Sequence, residues 1–437
     1  MLNLEDIVNF TSRVLYTILK NEISIDKAFQ RVKQRWTDRE SFKVYYDVTF
    51  SVVKDYFKLE YLAKRLFGST SCKNIVRTWL LLEGLDYFKS KDIVLTYIRK
   101  QLRKLRVKDL EELKVKIDTL IEEVRDRDPV EYLCVKYSYP RPYVEKLLQV
   151  LDYCEVEQIL NALNNYTTWI RINTLKIDVD KCIKLLEKQG LEVELDPDIP
   201  FLVKVVSAKR PVHHVEAIKE GLAVIQDKAS VLTVLVLDPQ PGELILDLCA
   251  APGMKTSLIM QLTENKARVV AVDISRDRLA SARHLLKHLG VNLDKIDFVL
   301  GDSRILKTRR LRPDKILIDA PCTSSGAAGK DPAVKIALRT LKRLPWYTDI
   351  QRRVLENAVE NYKNTIIIYA TCSLFPEEGE EIVKQVLEKH PNITLQRPNT
   401  RLLPAYTKYG EIGEKTARTY PHKHNCEGFY IAKIHVH

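Results

Sequence analysis

Two of the chain's eight cysteines follow directly on strand-like runs. Cys322 closes Asp319-Ala320-Pro321-Cys322 and precedes Thr323-Ser324-Ser325-Gly326, while Cys372 lies within Tyr369-Ala370-Thr371-Cys372-Ser373. A pair of thiols at neighbouring strand ends suits attack on an electron-poor ring. A thiolate adding to carbon-6 of cytosine turns carbon-5 into a nucleophile, and a second group then assists departure of the sulfur. Either thiol alone reads better as a packing residue, since free cysteine is among the most buried residue types, and it is the pair that points to chemistry. Pro376 is a natural first-turn residue for a helix through Ile382 to Leu387, whose N–H groups would acidify Cys372; Glu377, Glu378, Glu380 and Glu381 oppose that field. Cys72, Cys134, Cys154 and Cys182 have no comparable setting and are expected to pack.

A second constellation is acidic. The run Asp247-Leu248-Cys249-Ala250-Ala251-Pro252-Gly253-Met254-Lys255-Thr256 turns from a strand into a helix, and its small residues allow backbone N–H groups to approach a ligand closely. Asp273 closes the next strand twenty positions after Gly253, the spacing of a carboxylate that binds a ribose hydroxyl. Asp302 ends the third strand and Asp319 the fourth. No G-x-G-x-x-G and no phosphate loop is present, so four strand-end carboxylates suit a ligand with ribose, adenine and a cationic sulfonium, which is S-adenosylmethionine. Any one of these acids could equally cap the helix that follows it.

The elements that must position these groups are legible as patterns. Leu244 to Cys249, Val269 to Ile274, Phe298 to Asp302, Ile316 to Ala320 and Thr365 to Thr371 are short runs rich in β-branched residues, separated by helical stretches. That alternation predicts an α/β fold with a parallel, doubly wound sheet that binds its ligand at the carboxyl ends of the strands. Residues 1–130 read as helix after helix: Ile7, Phe10, Val14 and Ile18 recur at helical spacing, and Asp109-x-x-Glu112 forms a capping box. Pro129, Pro140 and Pro142 predict a linker. Residues 131–225 then mix helix and strand as a small α+β (RRM-like) connector, and residues 226–437 form the doubly wound domain.

The 437 residues are 45% hydrophobic and 29% charged, a globular composition, and the apolar runs fall far short of the ~20 residues of a membrane span. No secretory signal is visible, so the cysteines are expected to be reduced and the protein cytoplasmic. The net charge of +12 favours a polyanion such as nucleic acid. Residues 1–130 carry 26 Lys and Arg against 20 Asp and Glu, half of that excess in under a third of the chain. Arg99, Lys100, Arg103, Lys104, Arg106 and Lys108 cluster there, as a phosphate grip or a solvated helix face. Arg304, Lys307, Arg309, Arg310 and Arg312 present the same pair of readings after the third strand.

At these motifs the sequence resembles the Sun/RsmB-type RNA cytosine-5 methyltransferases, the family that includes the Nop/Nsun enzymes. The likeness extends to Arg171-Ile172-Asn173-Thr174-Leu175-Lys176, Gln226-Asp227-Lys228-Ala229-Ser230 and Pro421-His422-Lys423-His424-Asn425-Cys426-Glu427-Gly428-Phe429. It implies a Rossmann-like class I methyltransferase domain behind an all-helical NusB-like, RNA-binding N-terminal domain. It also implies Cys372 as nucleophile, Cys322 as the thiol that assists product release, and Asp319 as a group that both lines the cofactor site and meets the base at its N3 edge. The cofactor loop falls on Cys249, Ala250, Ala251, Pro252, Gly253, Met254 and Lys255, with Asp273, Arg278, Asp302 and Asp319 completing the site. Lys255 holds Asp319 or simply starts a helix. Met254 stands where the family usually has a second glycine, and Ile336 where a tryptophan is common.

His422, His424 and Cys426 on one face of an extended strand raise the question of a metal site; without a fourth ligand, none is expected. The expected function is S-adenosylmethionine-dependent methylation of carbon-5 of a cytidine in structured RNA, ribosomal RNA ahead of transfer RNA, by a monomer. The alternative from another class is a non-catalytic NusB-like assembly factor.

Overall fold

The computed structural model describes residues 4–36, 42–88, 91–308, 311–398 and 402–437. It divides the chain into two compact units, Met1–Asn164 with Ala327–Lys342, and Asn165–Gly326 with Arg343–His437.

The first unit is helical: α1 Leu4–Asn21, α2 Ile25–Lys33, α3 Phe42–Lys54, α4 Tyr56–Phe67, α5 Cys72–Tyr87, α6 Lys91–Leu105, α7 Leu110–Arg127, α8 Pro129–Tyr137, α9 Arg141–Leu148 and α10 Tyr153–Asn164. Its core gathers Phe10, Phe29, Tyr45 and Trp79, with the rings of Phe10 and Tyr45 stacked 4.7 Å apart. The expected cap forms in a shifted version: Asp109 accepts the Glu112 N–H at 3.0 Å, and Glu112 reaches back past the cap to the Lys108 N–H at 2.9 Å.

The expected linker is helical instead. Asp128 caps α8 by accepting the N–H groups of Val130 and Glu131, each at 3.1 Å, and Pro129 occupies the first turn. Pro142 does the same in α9. Proline lacks an N–H, yet the first-turn N–H groups are unpaired anyway, so these prolines start helices rather than break them. The segment Ala327–Lys342 belongs to this unit through Ala333 and Ile336 in its core. Beside them the 1% exposed Lys335 donates to the Lys54 carbonyl at 3.1 Å and Asn164 Oδ1 at 2.7 Å.

The second unit holds two sheets. The smaller comprises β1 Trp169–Ile172, β2 Leu191–Leu195, β3 Leu202–Ala208 and β4 Ala223–Ile225, in the antiparallel order β2-β3-β1-β4. The larger contains β5 Leu244–Asp247, β6 Arg268–Asp273, β7 Ile296–Leu300, β8 Lys315–Asp319, β9 Thr365–Thr371, β10 Ile393–Gln396, β11 Leu403–Pro404, β12 Ala417–Thr419 and β13 Phe429–Val436. Its order is β11-β12-β13-β9-β8-β5-β6-β7, with β10 also paired to β13. Strands β7, β6, β5, β8 and β9 are parallel, and β13 lies antiparallel to β9. Nearly every residue of β5, β8 and β9 is buried, because layers cover both faces of a parallel sheet and select continuous apolar runs. The in-phase register brings Asp247, Asp273, Asp319 and Thr371 to one edge as the last residues of their strands.

The carboxyl-terminal segment departs from expectation: His422 and His424 lie in a short helix, Pro421–His424, and not along a strand. Pro421 at its start and the left-handed Asn425 at its end set those limits. Among the described residues no His, Cys, Asp and Glu group could hold a metal ion, and no helix is long and apolar enough to cross a membrane.

Candidate active site

The turn after β5 is built on Asp273. Its Oδ2 accepts the Ala251 N–H at 3.3 Å and its Oδ1 the Ser275 N–H at 2.9 Å, while Arg278 approaches it at 3.4 Å. The Arg278 guanidinium also donates to the Ala251 carbonyl, so both backbone polar groups of Ala251 are fixed, one by the last residue of β6 and one by the helix that follows it. The Ala250 N–H bonds the Val272 carbonyl at 2.9 Å, and Gly253, at φ 99°, caps the helix Met254–Leu262 from the left-handed region that favours glycine. Cys249 and Met254 are half-buried, and Pro252 is exposed. Met254 is thus accommodated as the first helical residue, and the conformationally demanding position is Gly253.

Asp247 is buried, its Oδ2 accepting the Thr256 hydroxyl at 2.7 Å while Oδ1 has no hydrogen-bond partner among the described residues. Burial pushes its carboxyl up to about 7. Lys255 Nζ meets Asp319 Oδ2 at 2.6 Å. Burial alone lowers the Lys255 ammonium, but the charge of Asp319 outweighs it and the group sits above its ordinary value. Of the two readings of Lys255, the structure selects the one that holds Asp319. Asp302 is clasped by Arg304, Nη2 to Oδ2 at 2.6 Å, which lowers its carboxyl. Lys307 and Arg312 follow it, while Arg309 and Arg310 lie outside the described residues.

The two thiols come together: Cys322 Sγ lies 3.2 Å from Cys372 Sγ, and Cys372 Sγ is 3.5 Å from Ser324 Oγ. Cys322 is 9% exposed, and its hydrogen bond with Cys372, then burial, pushes its thiol well above the ordinary value. The loops that carry them are interlocked. Gly326 donates its N–H to the Cys372 carbonyl at 3.0 Å and accepts the Gly428 N–H at 2.9 Å. A Cβ at Gly326 would sit 1.9 Å from the Gly428 oxygen, so only glycine fits. Ala229, Cys426 and Phe429 pack against Cys372, and the Asp227 carboxylate accepts the Glu427 N–H at 3.2 Å, which brings two remote motifs to the same wall.

Sequence reasoning missed the side chains that hold this arrangement. Pro376 opens a short 3₁₀ turn, Pro376–Glu378, and the expected helix starts only at Glu380. Glu378 and Glu380, assigned there as charges opposing a helix field, are fully buried and hydrogen bonded. Arg418 binds both Glu380 oxygens, at 2.8 and 2.6 Å, and donates to the Ser373 carbonyl at 2.7 Å. Glu378 takes donors from both cysteine loops. The available signal was an acid a few residues after Cys372, too common a feature to single out.

Parallel strands with acids at their carboxyl ends, an antiparallel strand beside β9 and a small-residue turn before a helix define a Rossmann-like methyltransferase. Residues 234–435 match the 16S rRNA methyltransferase RsmB/F family, and residues 139–213 the ferredoxin-like domain of RsmF/B-like methyltransferases. The chain is 26% identical to ribosomal RNA small subunit methyltransferase B of Klebsiella pneumoniae (strain 342) across 99% of both chains. It is 31% identical to the 28S rRNA (cytosine-C(5))-methyltransferase of Mus musculus, across 75% of this chain and 44% of that protein. A crystal structure of a methyltransferase homologue from Pyrococcus horikoshii superposes with a TM-score of 0.61 at 30% identity, covering 70% of this chain and 98% of that one. The chain belongs to the RsmB/F methyltransferase family.

Proposed function

We propose that this methyltransferase modifies carbon-5 of a cytidine in structured RNA, ribosomal RNA first, through a covalent adduct between Cys372 and carbon-6. The contact between Cys322 and Cys372 at 3.2 Å, beside the Lys255–Asp319 pair, carries the reading. Relatives named as ribosomal RNA methyltransferases, one of them cytosine-C5 specific, support the substrate class.

The residues at the sheet edge fit S-adenosylmethionine. Among the described residues Asp247 Oδ1 is a buried acceptor without a partner, and Asp273 and Asp319 supply further acceptors for hydroxyl and cationic groups, while Asp302 would take an amino group by sharing oxygens that Arg304 holds. The loop Cys249–Lys255 and Arg278 would complete that site. When bound, this cofactor supplies an electrophilic methyl group. Cys372 adds as the thiolate to carbon-6 and makes carbon-5 the nucleophile, while a proton shared between N3 of the base and Asp319, held by Lys255, takes up the negative charge that develops on the ring. After transfer the carbon-5 proton leaves to water, its electron pair restores the ring double bond, and the carbon–sulfur bond breaks. The Cys322 thiol then donates to the departing Cys372 thiolate. A target cytidine must leave its stack to reach this edge.

The helical unit serves as the NusB-like RNA-binding domain of a cytoplasmic monomer. A groove of about 730 Å³ there is lined by Arg13, Arg31, Arg35 and Lys73, with Ser12 and the exposed Tyr16, and among the described residues no acidic side chain lines it. The cluster Arg99 to Lys108 is also exposed. Mutation tests the chemistry: Cys372→Ala abolishes methyl transfer, and Cys322→Ala leaves protein covalently on RNA in a denaturing gel. Full activity without Cys372 excludes this mechanism. Bisulfite sequencing of RNA from cells with and without the protein identifies the cytidine, and a site confined to transfer RNA refutes the ribosomal assignment.

A further inference from the structure

The residue directly after each active-site cysteine bonds the same buried carboxylate. Glu378 Oε1 accepts the Thr323 N–H at 2.8 Å and the Gln351 side-chain amide at 3.0 Å. Its Oε2 accepts the Thr323 hydroxyl and, at 2.5 Å, the Ser373 hydroxyl. No cation is paired with Glu378 among the described residues; its four donors are all neutral, and it is fully buried. A lone carboxylate is costly to bury, and hydrophobic packing would fill the same volume without that cost. The backbone of Glu378 is engaged as well, its carbonyl accepting the Tyr369 hydroxyl at 2.8 Å and the Thr371 hydroxyl at 3.2 Å. Ser325 and Ser373 extend the network, hydroxyl to hydroxyl at 2.8 Å, and Ser325 Oγ accepts the Leu374 N–H at 2.9 Å. Gln351 also bonds the Pro321 carbonyl at 2.8 Å, so the Cys322 loop is gripped on both sides of the thiol.

Resting on the covalent reading above, we propose that Glu378 is the positioning residue of product release, clamping the Cys322 loop to the Cys372 loop so that the Cys322 thiol stays against the Cys372 sulfur. Cys372 directly follows the regular strand β9, and Arg418 bonds the next carbonyl, whereas Cys322 sits in an irregular loop after β8. Loss of the clamp therefore acts first on Cys322. The nearby carboxylate keeps the Cys322 thiol protonated until the Cys372 thiolate departs.

The test uses the full-length enzyme and a cytidine-containing RNA. Glu378→Ala is expected to raise the fraction of protein trapped as a denaturant-stable RNA adduct by about tenfold, approaching Cys322→Ala, with Cys372 alkylation by iodoacetamide within about threefold of wild type. Glu378→Gln is expected to restore release, because the two hydroxyls can turn to accept from the amide. Should Glu378→Ala not fold, Thr323→Val, which removes a hydroxyl donor from the Cys322 loop alone, is expected to raise the adduct in the same direction. The proposal is overturned when adduct formation and release fall together in these variants, or when Gln accumulates as much adduct as Ala. If Cys322→Ala itself traps nothing, the covalent reading fails; if it traps and neither Glu378→Ala nor Thr323→Val does, only the role of Glu378 fails.

Discussion

The ammonium of Lys255 and the carboxylate of Asp319 meet at 2.6 Å, the first nearly closed to solvent at 9% side-chain exposure and the second still open at 34%. The lysine spends its charge on one oxygen of the acid and leaves the other for a ligand. Lys255→Met removes that restraint and leaves Asp319 free to turn. Methyl transfer is expected to fall by roughly 10- to 100-fold, mostly in kcat/KM. Because the pair raises the lysine above its ordinary value of 10.5, the stability it adds is present below that value and is lost as pH rises through the higher folded value. Thermal unfolding of wild type and variant should converge in strongly alkaline buffer, and a gap that persists there refutes the pairing as its source.

Asp247 carries the opposite sign. Its carboxyl is raised from 3.8 to about 7 in the fold, so ionisation there opposes folding. Asp247→Asn is expected to gain stability over wild type as pH climbs between those two values, and to hold a constant lead above about 7. Melting temperatures across that range check it; a lead that shrinks with rising pH contradicts the assignment.

Contact between two thiols at 3.2 Å makes the site sensitive to oxidants. A disulfide bond needs about 2.05 Å, so a small loop movement suffices. Hydrogen peroxide should oxidise Cys322 and Cys372 to a disulfide, releasing two waters, with activity lost and then recovered in dithiothreitol. Peptide mapping would show the linked pair, and irreversible inactivation without it would rule this out.

The basic groove predicts a salt signature. Arg31→Glu with Arg35→Glu is expected to weaken RNA binding and to flatten the slope of log affinity against log salt by roughly 0.7 to 0.9 for each phosphate no longer neutralised. Iodoacetamide reactivity of Cys372 should be unchanged. An unaltered slope removes the groove from the RNA path.

How much of this the sequence foretold depends on the range of the forces involved. Strands β5, β6, β8 and β9 were legible because a sheet buried on both faces imposes local apolar runs, and the acids and cysteines at their ends could be read off directly. The capping box at Asp109 is likewise a matter of neighbours three residues apart. Pro129 and Pro142 misled, since proline both ends helices and begins them, and only the Asp128 cap chooses.

Residue identity and spacing by themselves determined the chemistry on offer: two thiols, three strand-end acids, a fourth, Asp302, that the structure places two residues past the end of β7, and a small-residue turn. Tertiary structure alone decided how those groups are held. Glu378 binds residues 55 and 5 positions away, Arg418 reaches back 38 to Glu380, and residues 327–342 join the core of the helical unit across some 160 residues of chain. No local pattern encodes such partners, because burial fixes a polar side chain's mate only after the chain has packed and every buried donor and acceptor must be satisfied at once.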